Sequence, residues 1–362
     1  MPSLAASSRG PAYSPQWTLP LTDTVTDLQW VSDGSVLLAG SADGHLLRID
    51  GHGGVASVWQ GHHGGVTRLQ LRPGDERTLA SAGEDGQVIL WDSVSGRRID
   101  VLSEESSWVE QLEWTPDGSV LATAAGRTIS LWRERESLGT WYDGRRQVLA
   151  MAWAPDSRRL ATASNKGLYL WRLGKGGAEG GEPMRLLSFP GAPVSVAWQH
   201  RGRALAVGTQ DGFLQIWRQA MQAHEPRGGS GAKQLTMRGY PGKVACLAWH
   251  PSQPLVATAG GPDVVLWSLP AQGGKAQGSP LRYHRKTITA LAWSPDGQCL
   301  ASGDRSGRLA LWGLDGELLF SQSLDREVST IAWRPCGNAL AVADTGGRLQ
   351  LFAAADPSSS TV

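Results

Sequence analysis

The chain has 362 residues, 41% of them apolar and 19% charged, with a formal net charge of +1. That balance argues against a whole-chain basic footprint for nucleic acid, and no run of about 18 apolar residues is present to span a membrane. Aromatic usage is lopsided, 17 Trp against 4 Phe and 5 Tyr, so some recurring structural position must demand indole. Length alone suggests two or three domains.

In chain order, MPSLAASSRGPAYSP lacks the apolar stretch of a secretory signal, and residues 1–14 are expected to form a flexible tail. PQWTLPLT then has strand character without a neighbouring partner in sequence. From Val25 onward one phrase recurs: Val-x-x-Leu-x-Trp, a Pro/Asp/Gly turn, an apolar run, a Gly-containing turn, and Leu-Trp. Its copies begin at Val25, Val66, Val109, Val148, Pro193, Val244, Ile288 and Val328, at intervals of 41, 43, 39, 45, 51, 44 and 40 residues. Alternation in Val-x-x-Leu-x-Trp fits a half-buried strand, and Pro-Asp-Gly has turn chemistry. Each unit therefore predicts three short strands. A fourth follows in units 1 to 7: VASVWQ, RRIDVLS, SLGTWYD, MRLLSFP, KQLTMRG, PLRYH and ELLFSQSL. Unit 8 runs into AAADPSSSTV and has none. The segment PQWTLPLT is available to fill that place, which would close a ring and remove the exposed edge of an open array.

On these residues the chain resembles the WD40 family of β-propellers, in period and in four strands per unit. The resemblance covers roughly residues 15–353 and implies an all-β fold of eight four-stranded blades in a single domain, with seven blades as the alternative. Residues 354–362 are then expected to be a second flexible tail. The Trp excess becomes a packing device, since 13 of the 17 end first or third strands. The family also implies a His, Ser/Thr, Asp, Trp hydrogen-bonded tetrad in a blade. Unit 2 carries all four, at His62, Ser81, Asp85 and Trp91. Unit 7 has His284, Ser302 and Trp312, with Ser306 where the Asp is expected.

Catalytic signatures are absent: there is no Gly-x-Ser-x-Gly, HExxH or Walker sequence, and GYPGKV at 239–244 lacks essential parts of a phosphate loop. Most carboxylates fall in turns. No enzymatic activity and no cofactor are expected. Cys246, Cys299 and Cys336 are far apart and form neither a disulfide framework nor a zinc pattern, consistent with a reducing cytoplasm. Propeller topology places His45, His63 and Asp43 in loops on one face of adjacent blades, near His62. A metal-linked role through these histidines is one alternative function, although exposed loop histidines are the simpler reading and no metal ligand is assigned. An enzyme or small-ligand binder using the central channel is another.

The long connectors 171–183, 217–232 and 267–279 all join third and fourth strands and belong to the bottom face. On the top face, charge is uneven. Blades 1 to 3 contribute Asp23, Asp43, Glu84, Asp85, Glu104 and Glu105. A basic arc follows, made of Arg127, Arg145, Arg146, Lys166, Lys243, Arg285, Lys286 and Arg305, continued by Arg326 and partly offset by Asp263 and Asp304. Such a split face orients a complementary partner. The expectation is a non-enzymatic cytoplasmic scaffold, monomeric by itself, whose arc binds an acidic protein segment. No membrane partner is expected. Nucleic acid is not expected either, since the tryptophans belong to strands and leave no exposed aromatic-basic interleaving.

Overall fold

The computed structural model describes residues 13–103, 108–142, 147–165, 167–174, 185–187, 191–218, 233–269 and 275–354. Among these residues there is no helix, and 32 strands form eight antiparallel four-stranded sheets. Blades 1 to 7 each take four consecutive strands. Blade 2, for example, comprises Val66–Arg72, Asp75–Gly83, Gln87–Asp92 and Arg98–Ser103 in sequence order. Blade 8 is built from Val328–Trp333, Ala339–Asp344 and Arg348–Ala354, and its outer strand is Tyr13–Pro20 from the other end of the chain. Thr18 pairs with Gln350 and Leu19 with Leu349, so the amino-terminal strand closes the ring as expected. Blade 6 departs in detail. Its fourth strand is Gln277–Leu281, and Tyr283 and His284 leave it for the top loop, where His284 is needed in the next blade.

Turn chemistry sets the strand ends. In the turns after the first strands, Asp33, Asp117, Asp156 and Asp296 each accept the backbone N–H two residues on, at 2.8 to 3.0 Å. Their carboxylates are therefore occupied locally. Gly44 shows why the second-to-third-strand turn needs glycine. Its φ is +86°, and a Cβ there would lie 2.3 Å from the His62 carbonyl oxygen. This top turn is pressed against the loop entering the next blade.

The core lies between blades. One cluster joins Leu28, Trp30 and Leu37 of blade 1 to Ala339, Ala341 and Leu349 of blade 8. Alanines on the second strands let neighbouring sheets approach, while the first-strand tryptophans fill the wedges. These indoles also tie the ring together. Trp30, Trp153, Trp198, Trp249, Trp293 and Trp333 each donate Nε1–H to a carbonyl of the preceding blade, at 2.9 to 3.2 Å. The acceptor is always the residue just before that blade's own first-strand Trp: Ala332, Glu113, Ala152, Ala197, Ala248 and Ala292. Side-chain acceptors add a second set of joints. Asp27, Gln70 and Glu113 accept the backbone N–H of Leu69, Trp114 and Trp153 in the following blade.

Candidate functional site

Two blades are stiffened at their top by buried polar chains. In blade 2, Trp91 donates to Ser81 Oγ at 2.9 Å, His62 Nε2 lies 2.7 Å from the same hydroxyl, and His62 Nδ1 lies 2.9 Å from Asp85. One proton arrangement satisfies every group: indole to Ser81, Ser81 hydroxyl to Nε2, and Nδ1–H to the carboxylate. Burial lowers the His62 pKa despite Asp85, which keeps the ring neutral.

Blade 7 corrects the sequence expectation. Its carboxylate is Asp304, not a residue at the position of Ser306, so all four residues are present, with His284 Nδ1 facing that carboxylate out of hydrogen-bond alignment. Trp312 donates to Ser302 at 2.8 Å, His284 Nε2 lies 2.6 Å from Ser302, and His284 Nδ1 lies 3.2 Å from Asp304. The reason is steric. In blade 2 the equivalent of Asp304 is Gly83, where a Cβ would lie 2.3 Å from His62 Nδ1. A side chain at that position already reaches the imidazole, so an aspartate there replaces one arriving from two residues further on. Asp304 is fully buried and is not a counter-charge on the surface. In blade 6, Tyr240 stands in the histidine place, four residues before the unit start. Its hydroxyl accepts from Trp267 at 2.6 Å and lies 2.5 Å from Thr258 Oγ1. That fixed offset was the available signal.

Of the histidines considered for metal, His62 and one nitrogen of His45 are taken up in such bonds, while His63 donates its backbone N–H to Asp85 at 3.0 Å. Both His62 nitrogens are committed to the fold, and His45 Nδ1 pairs with Asp43 at 3.0 Å. Among the described residues, no three His, Cys, Asp or Glu side chains converge to hold an ion. Residues Asp27 and Glu113 serve the joints between blades.

The top face carries a group of exposed cations. Lys243 lies just before the blade 6 first strand, and Arg285 and Lys286 just before that of blade 7. All three are exposed, and no described carboxylate lies within salt-bridge distance of them. Arg305 is adjacent in the blade 7 turn, but its Nε lies 3.6 Å from Glu327, so part of its charge is answered within the fold. Arg127 is exposed in the blade 3 turn, across the ring from this group. Arg145, Arg146 and Lys166, together with Glu104 and Glu105, lie outside the described residues, as do most of the three long connectors.

Two aromatic side chains were not anticipated at the surface. Trp108 is 55% exposed and Tyr142 is 57% exposed. Trp108 precedes the first strand of blade 3 instead of belonging to a strand, which explains its escape from the packing pattern.

The family follows from the repeat geometry and from comparison. The WD domain, G-beta repeat pattern matches residues 14–50, 53–92, 96–133, 135–172 and 181–218, more than half of the chain. The chain belongs to the WD40 repeat family. A second pattern, the IFT140 first beta-propeller, matches this WD40 protein over residues 238–323. Telomerase protein component 1 of Rattus norvegicus is 26% identical over 277 residues, covering 71% of this chain and 10% of that protein. Protein FIZZY-RELATED 1 of Arabidopsis thaliana is 33% identical over 118 residues, 33% of this chain and 22% of that one. This WD40 chain thus spans about a tenth to a fifth of the length of these relatives. The crystal structure of the computationally designed Ika8 protein aligns with a TM-score of 0.77 at 19% identity, covering 92% of this chain and 97% of that one, which bears on fold alone. No helix of the described residues is long and apolar enough to cross a membrane.

Proposed function

We propose that this WD40 propeller is a non-enzymatic, cytoplasmic interaction scaffold that docks an acidic segment of a partner protein on its top face. The observation that carries this reading is the group Lys243, Arg285 and Lys286, exposed at the top of neighbouring blades and unpaired with any described carboxylate. Unanswered guanidinium and ammonium groups on rigid blade ends favour a carboxylate-bearing ligand and steer its approach. Arg127, Arg145, Arg146, Lys166 and Arg305 complete the arc in this reading. Two relatives support it by name, one a telomerase component and one an anaphase-promoting complex subunit, cdc20 of Dictyostelium discoideum. Simultaneous reversal of Lys243, Arg285 and Lys286 to Glu is expected to abolish capture of native partners in affinity purification, with an unchanged unfolding midpoint. Full capture by the folded triple variant would refute the arc.

A further inference from the structure

Blade 3 brings three exposed residues to its top end. Val109 pairs with Ala125, and Thr128 pairs with Tyr142, so Trp108, Arg127 and Tyr142 occupy the same end of one sheet, from the inner strand to the outer. Strands are about 4.8 Å apart, so the row spans about 14 Å, with Arg127 in the turn near its middle. Trp108 and Tyr142 are each more than half exposed, and Arg127 is exposed with no described carboxylate at salt-bridge distance. Exposed aromatics of this size are costly to leave in water and are the residue types that anchor interfaces, as is arginine.

We infer that this row is a docking site for an extended segment of a partner protein with the pattern apolar–x–acidic–x–apolar. The inference rests on the reading of the top face as a protein-docking surface and adds a contact, with its own specificity, across the ring from Lys243, Arg285 and Lys286. In an extended chain, side chains two residues apart share a face and lie about 6.8 Å apart, and those four apart lie about 13.5 Å apart. The central carboxylate then meets Arg127 while the flanking apolar side chains cover Trp108 and Tyr142. Nearby Glu110 is turned onto Gln147, whose Nε2 donates to its oxygens at 2.6 Å, and it is not within salt-bridge distance of Arg127. Charge selects protein over single-stranded nucleic acid, which also stacks on aromatics. The row itself holds one cation, enough for a single carboxylate and not for the run of phosphates in a strand.

The test pans a display library of random dodecapeptides on the full chain, then measures the enriched peptides and oligouridylate by fluorescence anisotropy. Enriched peptides are expected to carry the pattern. They should bind Trp108→Ala and Tyr142→Ala at least 10-fold more weakly, and Arg127→Glu without detectable saturation. Unchanged thermal midpoints establish that these exposed substitutions leave the fold alone. Peptides without the pattern, oligouridylate binding lost in the same variants, or an absence of enrichment overturns the inference. Binding lost in the Lys243, Arg285 and Lys286 reversal yet retained in Trp108→Ala and Tyr142→Ala overturns the row and leaves the basic arc standing. Binding retained in both sets refutes both.

Discussion

Glu113 sets a titration against the histidines. Its carboxyl is enclosed between blades 3 and 4, accepts the Trp153 N–H at 3.2 Å, and has its pKa pushed up to about 8 by burial. In the unfolded chain a glutamate ionises near 4.3, so between that value and about 8 the folded state holds the extra proton and stability falls as pH rises. The imidazoles act with the opposite sign. Burial lowers the pKa of His62, His250 and His284, so below about 6.5 the unfolded chain takes up protons first and stability falls with acidification. Glu113→Gln keeps a carbonyl acceptor for Trp153 and removes the carboxyl. Urea denaturation followed by Trp fluorescence is therefore expected to show Glu113→Gln nearly equal to wild type only at pH 4 or below, where the unfolded carboxyl is also protonated. At pH 8.5 the variant should be more stable, on the order of 1 kcal/mol or more. A variant less stable than wild type at pH 8.5 would contradict this account. The histidine side of that profile was partly legible in sequence. Asp85 follows Ser81 at the family's spacing, but Asp304 reaches the same imidazole position from a different backbone site. Motif spacing records sequence offsets, whereas the tetrad requires only that a carboxylate arrive in one place.

At the scale of the strand, hydrophobic alternation and turn residues located nearly every element, because each half-buried strand repeats the same burial demand. What they could not locate was partnership across the whole chain. Tyr13–Pro20 is recognisable as a strand, yet its pairing with Arg348–Ala354 follows only from the missing fourth strand of blade 8. This closing strand also brings its own anchor. Tyr13 is buried against the rings of Phe320 and Trp333 at 6.0 and 6.3 Å, and its hydroxyl lies 3.8 Å from Cys299 Sγ. Deleting residues 1–20 leaves blade 8 with an open edge and an unfilled pocket, so a loss of at least about 3 kcal/mol is expected from the buried side chains alone. A synthetic peptide of residues 11–22 should restore the thermal midpoint in a concentration-dependent way, since it binds only the folded ring. A truncated chain with the wild-type midpoint would show that closure contributes nothing. Trp108 marks the opposite limit of legibility. Its type matched the packing pattern, but it lies one residue before the strand, where no neighbouring blade covers it.

For the whole molecule, the indole-to-carbonyl joints decide whether the ring behaves as a closed body or as a row of repeats. An open array loses little when its end joint is weakened, because each unit answers only to its neighbours. Closure makes every joint equivalent. Trp30 and Trp198 form a matched pair for testing this. Each is 8% exposed, and they donate to Ala332 at 3.2 Å and to Ala152 at 3.0 Å. Each also lies beneath a guanidinium, Arg334 at 4.8 Å and Arg159 at 4.9 Å from the respective ring centroid. Trp30 spans the joint between the two ends of the chain, blades 8 and 1, whereas Trp198 spans blades 4 and 5. Replacing either by Phe removes the donor and some buried volume, at an expected cost of about 1–3 kcal/mol. In a closed ring the two losses should agree within about 0.5 kcal/mol, and calorimetry should show one transition for each variant. A markedly milder Trp30→Phe, or a separate early transition confined to it, would mean that the ring opens before it unfolds. The top face would then be rigid only within runs of neighbouring blades. Equal losses would make the ring one rigid mount, holding Arg127 on blade 3 and the Lys243, Arg285 and Lys286 group on blades 6 and 7 at a constant separation for a single partner to bridge.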